Sequence, residues 1–154
     1  SVRVLRLASD AVRRISLDSI PWLPHTHTLD MSHSPAFLDL IQSVRAGVRD
    51  VTIQQTRDRL HDNPSLQLVD IREDSEWAAG HAEGAVHIGK GVIERDIEDK
   101  IPDKNAEIIL YCGGGFRSVL AADAIQKMGY TNVASMAGGW RDWKDAGAPI
   151  AGVP

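Results

Sequence analysis

Glu107-Ile-Ile-Leu-Tyr111-Cys112-Gly113-Gly114-Gly115-Phe116-Arg117-Ser118 is the stretch that decides the reading of this chain. An apolar strand runs straight into a cysteine, three glycines follow, and a helical pattern opens at once. Leu120, Ala121, Ala124, Ile125 and Met128 recur on one helix face, and Gly129 is placed to close that helix. The glycines let the loop curl with its N–H groups inward, and the helix start adds free N–H groups and a positive dipole end. Such a cradle stabilises an anion, and the nearest candidate is the Cys112 sulfur. Helix N-termini and neighbouring cations favour thiolate over thiol, and Arg117 adds a permanent positive charge. Cys112 is therefore expected to be a nucleophile. A cysteine that merely packs needs no glycine run behind it.

Two thiolate chemistries use such loops, and spacing separates them. Cysteine-dependent phosphatases use Cys-x5-Arg, a loop wide enough to wrap three phosphate oxygens. Here Arg117 follows Cys112 with four residues between, and the next residue is Ser118. The smaller loop suits a sulfur atom. A nucleotide-binding P-loop is excluded, because no Gly-Lys-Ser/Thr follows.

Outward from this loop the chain alternates helices and strands. Ser34-Pro35 offers an N-cap and a first-turn proline for a leading helix bearing Phe37, Leu38, Ile41 and Val44, which ends near Gly47. Val51-Thr52-Ile53 reads as a short strand, then a helix to about His61 and a break at Asn63-Pro64-Ser65. Strands are expected at 66–70, 85–88, 107–111 and 132–135, with helices at 73–79, 92–101, 118–128 and 140–146. Strands joined by single helices imply crossover connections and a parallel sheet covered on both faces, with the site at the carboxyl ends of the strands. Asp70, His87 and Cys112 all lie at or near such ends.

Residues 1–33 read differently: four arginines, no lysine and a Pro/His/Thr stretch. Met31 opens a natural start, so residues 1–30 read as upstream-translated or appended sequence. The domain organisation expected is an N-terminal extension at 1–33, a leading helix at 34–50 and the catalytic domain at 51–154. His25, His27 and His33 lack the partnering cysteines or acids of a metal site. The chain has 154 residues and a net charge of −4, from 17 Lys+Arg against 21 Asp+Glu. That balance argues against nucleic-acid binding, and no stretch approaches the roughly 20 apolar residues needed to span a bilayer. One cysteine permits no internal disulfide and suits a reducing, cytoplasmic setting.

Four segments carry a resemblance to the rhodanese family, over about 52–149. Cys112 to Ser118 fits the active loop Cys-x-x-Gly-x-Arg-Ser. Gly80-His81-Ala82-Glu83-Gly84-Ala85 resembles the Gly-His-Ile-Pro-Gly-Ala signature. Gly138-Gly139-Trp140-Arg141-Asp142-Trp143 with Gly147-Ala148-Pro149 is similar to the C-terminal signature, and Val69-Asp70-Ile71-Arg72 to the Val-Asp-Val-Arg before them. The resemblance implies a three-layer α/β fold around a five-stranded parallel sheet. It implies a sulfurtransferase in which Cys112 takes sulfur from a donor such as thiosulfate, becomes a persulfide, and yields the sulfur to a thiol or to cyanide in vitro. Residues Gly113, Gly114, Gly115, Phe116, Arg117 and Ser118 would hold the substrate and the persulfide charge, with Asp70 and Arg72 in support as a pair bracing the loop. No metal or organic cofactor is expected. Two departures bear on the donor. The two-domain thiosulfate transferases carry an arginine where this chain has Glu76, and basic residues where it has Gly113 and Gly114. Fewer cations around the sulfur favour a protein persulfide or another donor of low charge. The other readings are a persulfide carrier in a sulfur relay and a non-catalytic interaction module.

Overall fold

The computed structural model describes residues 33–154. The extension expected over 1–33, with His25 and His27, lies outside the described residues except for His33. The elements run α1 (Pro35–Arg45), β1 (Arg49–Val51), α2 (Ile53–Asp62), β2 (Gln67–Asp70), α3 (Asp74–Ala78), β3 (His81–Ala82), β4 (Val86–His87), α4 (Ile93–Lys100), β5 (Ile108–Tyr111), α5 (Arg117–Lys127), β6 (Val133–Met136), α6 (Gly139–Asp145) and β7 (Ile150–Ala151). Five strands form the expected parallel sheet, in the order β1-β6-β5-β2-β4.

Strand β5 is central and wholly buried, and its alternation divides the core. Ile108 and Leu110 face the side covered by α1, α4 and α5, where Ile41, Ile93, Ile97, Val119, Ala122 and Ile125 pack. Ile109 and Tyr111 face the other side, against Ala148 and the buried Trp143 of α6, with Ile53 and Leu60 of α2. Successive strand side chains point to opposite faces, so a strand that is apolar throughout demands cover on both. That requirement produces the three layers and places Cys112, the residue after Tyr111, at the carboxyl edge of the sheet.

The leading helix forms as the sequence signals indicate. The Ser34 hydroxyl accepts the Phe37 N–H at 3.3 Å and Pro35 takes the first turn. It packs through Ile41, Phe37 and Val44 into the same core as α5.

Two elements differ from the sequence expectation. The first strand lies at 49–51, two residues before the expected 51–53, because Thr52 is already the N-cap of α2. Its hydroxyl accepts the Gln55 N–H at 3.0 Å, and the Gln55 side chain accepts the Thr52 N–H at 2.9 Å. This reciprocal cap outweighs the apolar look of Val-Thr-Ile. Among the described residues the strand is an edge, paired only with β6, and edge strands carry charged residues such as Arg49 and Asp50. The second difference is an additional antiparallel ribbon, His81 opposite Ala151 and Ala82 opposite Ile150. Strands of two residues carry no alternation to detect. With the Glu83 N–H and the Trp143 indole N–H both donated to the Pro149 carbonyl, at 3.0 and 2.8 Å, the ribbon ties the C-terminal segment to the 80–85 turn.

Candidate active site

The loop between β5 and α5 is shaped by its glycines and held from behind by α6. Gly115 has φ +94°, a conformation other residues rarely adopt, and its N–H reaches the Cys112 Sγ at 3.2 Å. Gly139 has φ +55°, and a Cβ there would fall 2.3 Å from the Cys112 carbonyl oxygen. Only glycine lets α6 come so close. The approach allows the Trp140 N–H to donate to the Cys112 carbonyl at 2.7 Å and the Arg141 N–H to the Gly113 carbonyl at 3.1 Å.

Cys112 is 1% exposed. Beyond the Gly115 N–H, its Sγ lies 3.6 Å from the Ser118 hydroxyl, which is itself 2.8 Å from the Ser135 hydroxyl on β6. Both serines are buried, so a chain of two hydroxyls stands behind the sulfur. A thiolate accepts only, so with Cys112 ionised the Ser118 O–H donates to sulfur and the Ser135 O–H donates to Ser118. Gly113 and Gly114 are half-buried. Phe116 packs against Phe37 of α1, ring centroids 6.3 Å apart.

Arg117 stands beside the sulfur but not alone. Its guanidinium binds the Glu76 carboxylate through two hydrogen bonds, of 3.0 and 3.1 Å. Those bonds raise the arginine further above its ordinary value, burial opposes them, and the sulfur charge adds to them. The same bonds hold Glu76 below the usual carboxylate range, against burial and with help from the Glu73 N–H. The residue that departs from the two-domain transferases is therefore a direct partner of the loop arginine.

Asp70 and Arg72 form the expected pair. Arg72 donates Nε to both carboxylate oxygens at 3.1 Å, Nη2 to Oδ2 at 2.7 Å, and Nη2 again to the Gly80 carbonyl at 2.7 Å. Burial works against the Arg72 charge, and the Asp70 bonds and charge outweigh it. Tyr111 completes the brace: its hydroxyl donates to Asp70 at 2.6 Å and accepts the Ala82 N–H at 3.0 Å. Burial first, then the Asp70 charge, keeps that phenol well above its ordinary range and hence a proton donor. The Arg72 guanidinium lies over the Trp140 ring, 4.8 Å from its centroid. The pair thus locks the 80–85 turn and reaches the loop through Tyr111, the neighbour of Cys112. His81 and His87 are taken up by the frame: each stacks on Trp77, and they bond the Trp77 and Arg72 carbonyls at 3.1 and 2.8 Å.

Sequence reasoning did not single out Tyr111, Ser135, Arg141 or the role of Gly139, and it found Glu76 without its partner. Only the Gly138-Gly139 pair carried a local signal, since paired glycines before a helix mark close backbone approach. Among the described residues, no three His, Cys, Asp or Glu side chains are grouped to hold a metal ion, and no helix is long and apolar enough to cross a membrane.

The sheet order, the cradle around a cysteine at the end of its central strand, and the turn braced by Asp70 and Arg72 describe one class of protein. A family model for the rhodanese-like domain matches residues 52–146, and the chain belongs to that rhodanese-like family. A relative from Bacillus subtilis, YrkF, provisionally named a sulfur carrier protein, is 30% identical over 98 residues, 64% of this chain and 52% of its own. The chain thus spans about half the length of that relative. The thiosulfate sulfurtransferase of Pseudomonas aeruginosa superposes with a TM-score of 0.62 at 27% identity, over 67% of this chain and 20% of that one. A Rhodopseudomonas palustris protein described as a possible tyrosine phosphatase superposes with a TM-score of 0.66 at 26% identity, over 84% and 99%.

Proposed function

We propose that this chain moves sulfane sulfur through a persulfide on Cys112, taking it from a small donor such as thiosulfate and passing it to a thiol, or to cyanide in vitro. The observation that carries this reading is the sulfur-sized cradle: one backbone N–H at 3.2 Å and a hydroxyl at 3.6 Å around a buried Sγ. Four residues between Cys112 and Arg117 count against a phosphoryl group, and hence against carrying the phosphatase description of the Rhodopseudomonas neighbour over to this chain. The thiolate attacks the outer sulfur of thiosulfate, whose own S–S bond breaks with its electron pair leaving on sulfite, and the persulfide charge then rests against the Gly115 N–H and the Ser118 hydroxyl. A single reduced thiol suits a reducing compartment such as the cytoplasm.

Intact mass after exposure to thiosulfate tests this directly. One added sulfur atom is expected, removed by cyanide, and none in Cys112→Ser. A wild-type protein that stays unmodified with thiosulfate and with small persulfide donors would sink the reading. The sulfur-carrier name of YrkF favours a second reading, in which donor and acceptor are both proteins. Faster loading from a cysteine desulfurase than from thiosulfate would select that version.

A further inference from the structure

We infer that Arg141, carried by α6, docks the anionic end of a small sulfur donor and so supplies the cation that the glycine loop itself does not carry. The inference rests on the sulfurtransferase reading and names the class of donor, one ending in a sulfonate-like group.

Gly113 and Gly114 place no side chain over the mouth of the site, and that space is taken from elsewhere in the chain. A Cβ on Gly113 would lie 3.1 Å from Arg117 Nη2 and 3.9 Å from a Glu76 oxygen. A Cβ on Gly114 would lie 3.9 Å from Arg141 Nη2. Two guanidinium groups therefore border the same bare backbone, and their states differ. Arg117 is committed to the Glu76 carboxylate by two bonds, with side chains 31% and 35% exposed. Arg141 is 67% exposed, and among the described residues its ion pair is a loose one, Nε to the adjacent Asp142 at 3.5 Å. Its backbone is not loose: the N–H bond to the Gly113 carbonyl, 3.1 Å, fixes the distance of its Cα from the loop. The result is a tethered cation whose Nη2 borders the space over Gly114. A planar guanidinium fork matches the oxygens of a sulfonate as it does those of a phosphate or carboxylate.

The chemistry gives that cation something to do. The Cys112 thiolate attacks the sulfane sulfur of thiosulfate. A new S–S bond forms at Cys112, the donor's own S–S bond breaks, and its electron pair leaves on sulfite. Total charge is conserved, and it moves from the attacking sulfur toward the departing SO3 group. Arg117, beside the attacking sulfur, answers to the start of that movement, and Arg141, on the open side, to its end.

The test is the second-order rate of persulfide loading, followed by intact mass, for wild type, Arg141→Ala, Arg141→Lys and Arg141→Glu. The donors are thiosulfate, a dianion, and benzenethiosulfonate, a monoanion. Alkylation of Cys112 by the neutral reagent iodoacetamide serves as a control for thiolate reactivity. Loading by thiosulfate should fall about 3-fold in Arg141→Ala and about 10-fold in Arg141→Glu, and stay within about 2-fold in Arg141→Lys, as for a part-exposed charge contact. The losses should be smaller for the monoanion and should fade in high salt. Alkylation should hold at the wild-type rate throughout. Equal loading in wild type and Arg141→Glu overturns the inference, and so does alkylation that falls in parallel with loading. A wild type that alkylates but never loads from either donor removes the sulfurtransferase reading and this inference with it.

Discussion

Two arginine–carboxylate pairs flank the same cysteine and serve opposite purposes. Arg72 and Asp70 are 3% and 0% exposed, and every bond they make runs to the frame: the Gly80 carbonyl, the Tyr111 hydroxyl, the Arg72 backbone. Arg117 and Glu76 are about one-third exposed and sit at the mouth. The bonding chemistry is alike in both; burial separates them. Sealed from water, a charge pair cannot rearrange without leaving one partner stranded, so it holds shape. Half in water, the same pair contributes little to stability and remains free to shift its charge toward a sulfur or a donor.

The largest effect should follow from breaking the sealed pair. Arg72→Ala strands the Asp70 carboxylate and also removes the contact with Trp140, so a loss of about 3–5 kcal/mol is expected, read from urea unfolding. A loss below about 1 kcal/mol would show that water reaches Asp70 and that the two pairs do not differ as described. Tyr111→Phe is gentler. It removes one donor from Asp70 and one acceptor from the Ala82 N–H, and should cost about 1–3 kcal/mol while leaving Cys112 able to load sulfur. Arg117→Ala should invert the pattern: a stability change under about 1 kcal/mol, with persulfide formation slowed about tenfold through loss of one charge-assisted contact. Unchanged loading would show that Arg117 belongs to the frame after all.

Acid sharpens the comparison most finely. Glu76 is held below its ordinary value of 4.5 chiefly by Arg117, so its contribution is whole above that value and is lost as pH falls through the lowered one. Because the pair is half in water, Glu76→Gln, which can still accept the Glu73 N–H, should remove only a small part of the acid-side loss of stability. Glu107 lies on the same side of the ledger. Its side chain is 5% exposed and held down first by Arg59, then by Asn63, and Glu107→Gln should remove a larger part. Equal effects from the two substitutions would contradict the role given to burial.

The layers were legible because they follow from short-range pattern. A four-residue apolar strand needs cover on two sides, a glycine run between strand and helix needs an anion to hold, and a serine before proline starts a helix. The first strand was misplaced because Val51-Thr52-Ile53 was read as an apolar run, which took in the N-cap Thr52 and left out the charged edge residues Arg49 and Asp50. The β3–β7 ribbon was missed because two residues cannot show a period.

The sequence by itself singled out Cys112 as the candidate nucleophile and gave the size of its loop, the parallel sheet that carries it and the Asp70–Arg72 pair two residues apart. These rest on neighbours along the chain, where spacing fixes geometry. Only the tertiary structure decided which charges face the sulfur. Glu76 reaches Arg117 across 41 positions, Ser135 reaches Ser118 across 17, and α6 brings Arg141 to a loop that carries two glycines where a cation was looked for. The local pattern showed a loop poor in cations; packing brings Arg141 of another helix beside Gly114, because the absence of a Cβ at Gly139 lets that helix approach.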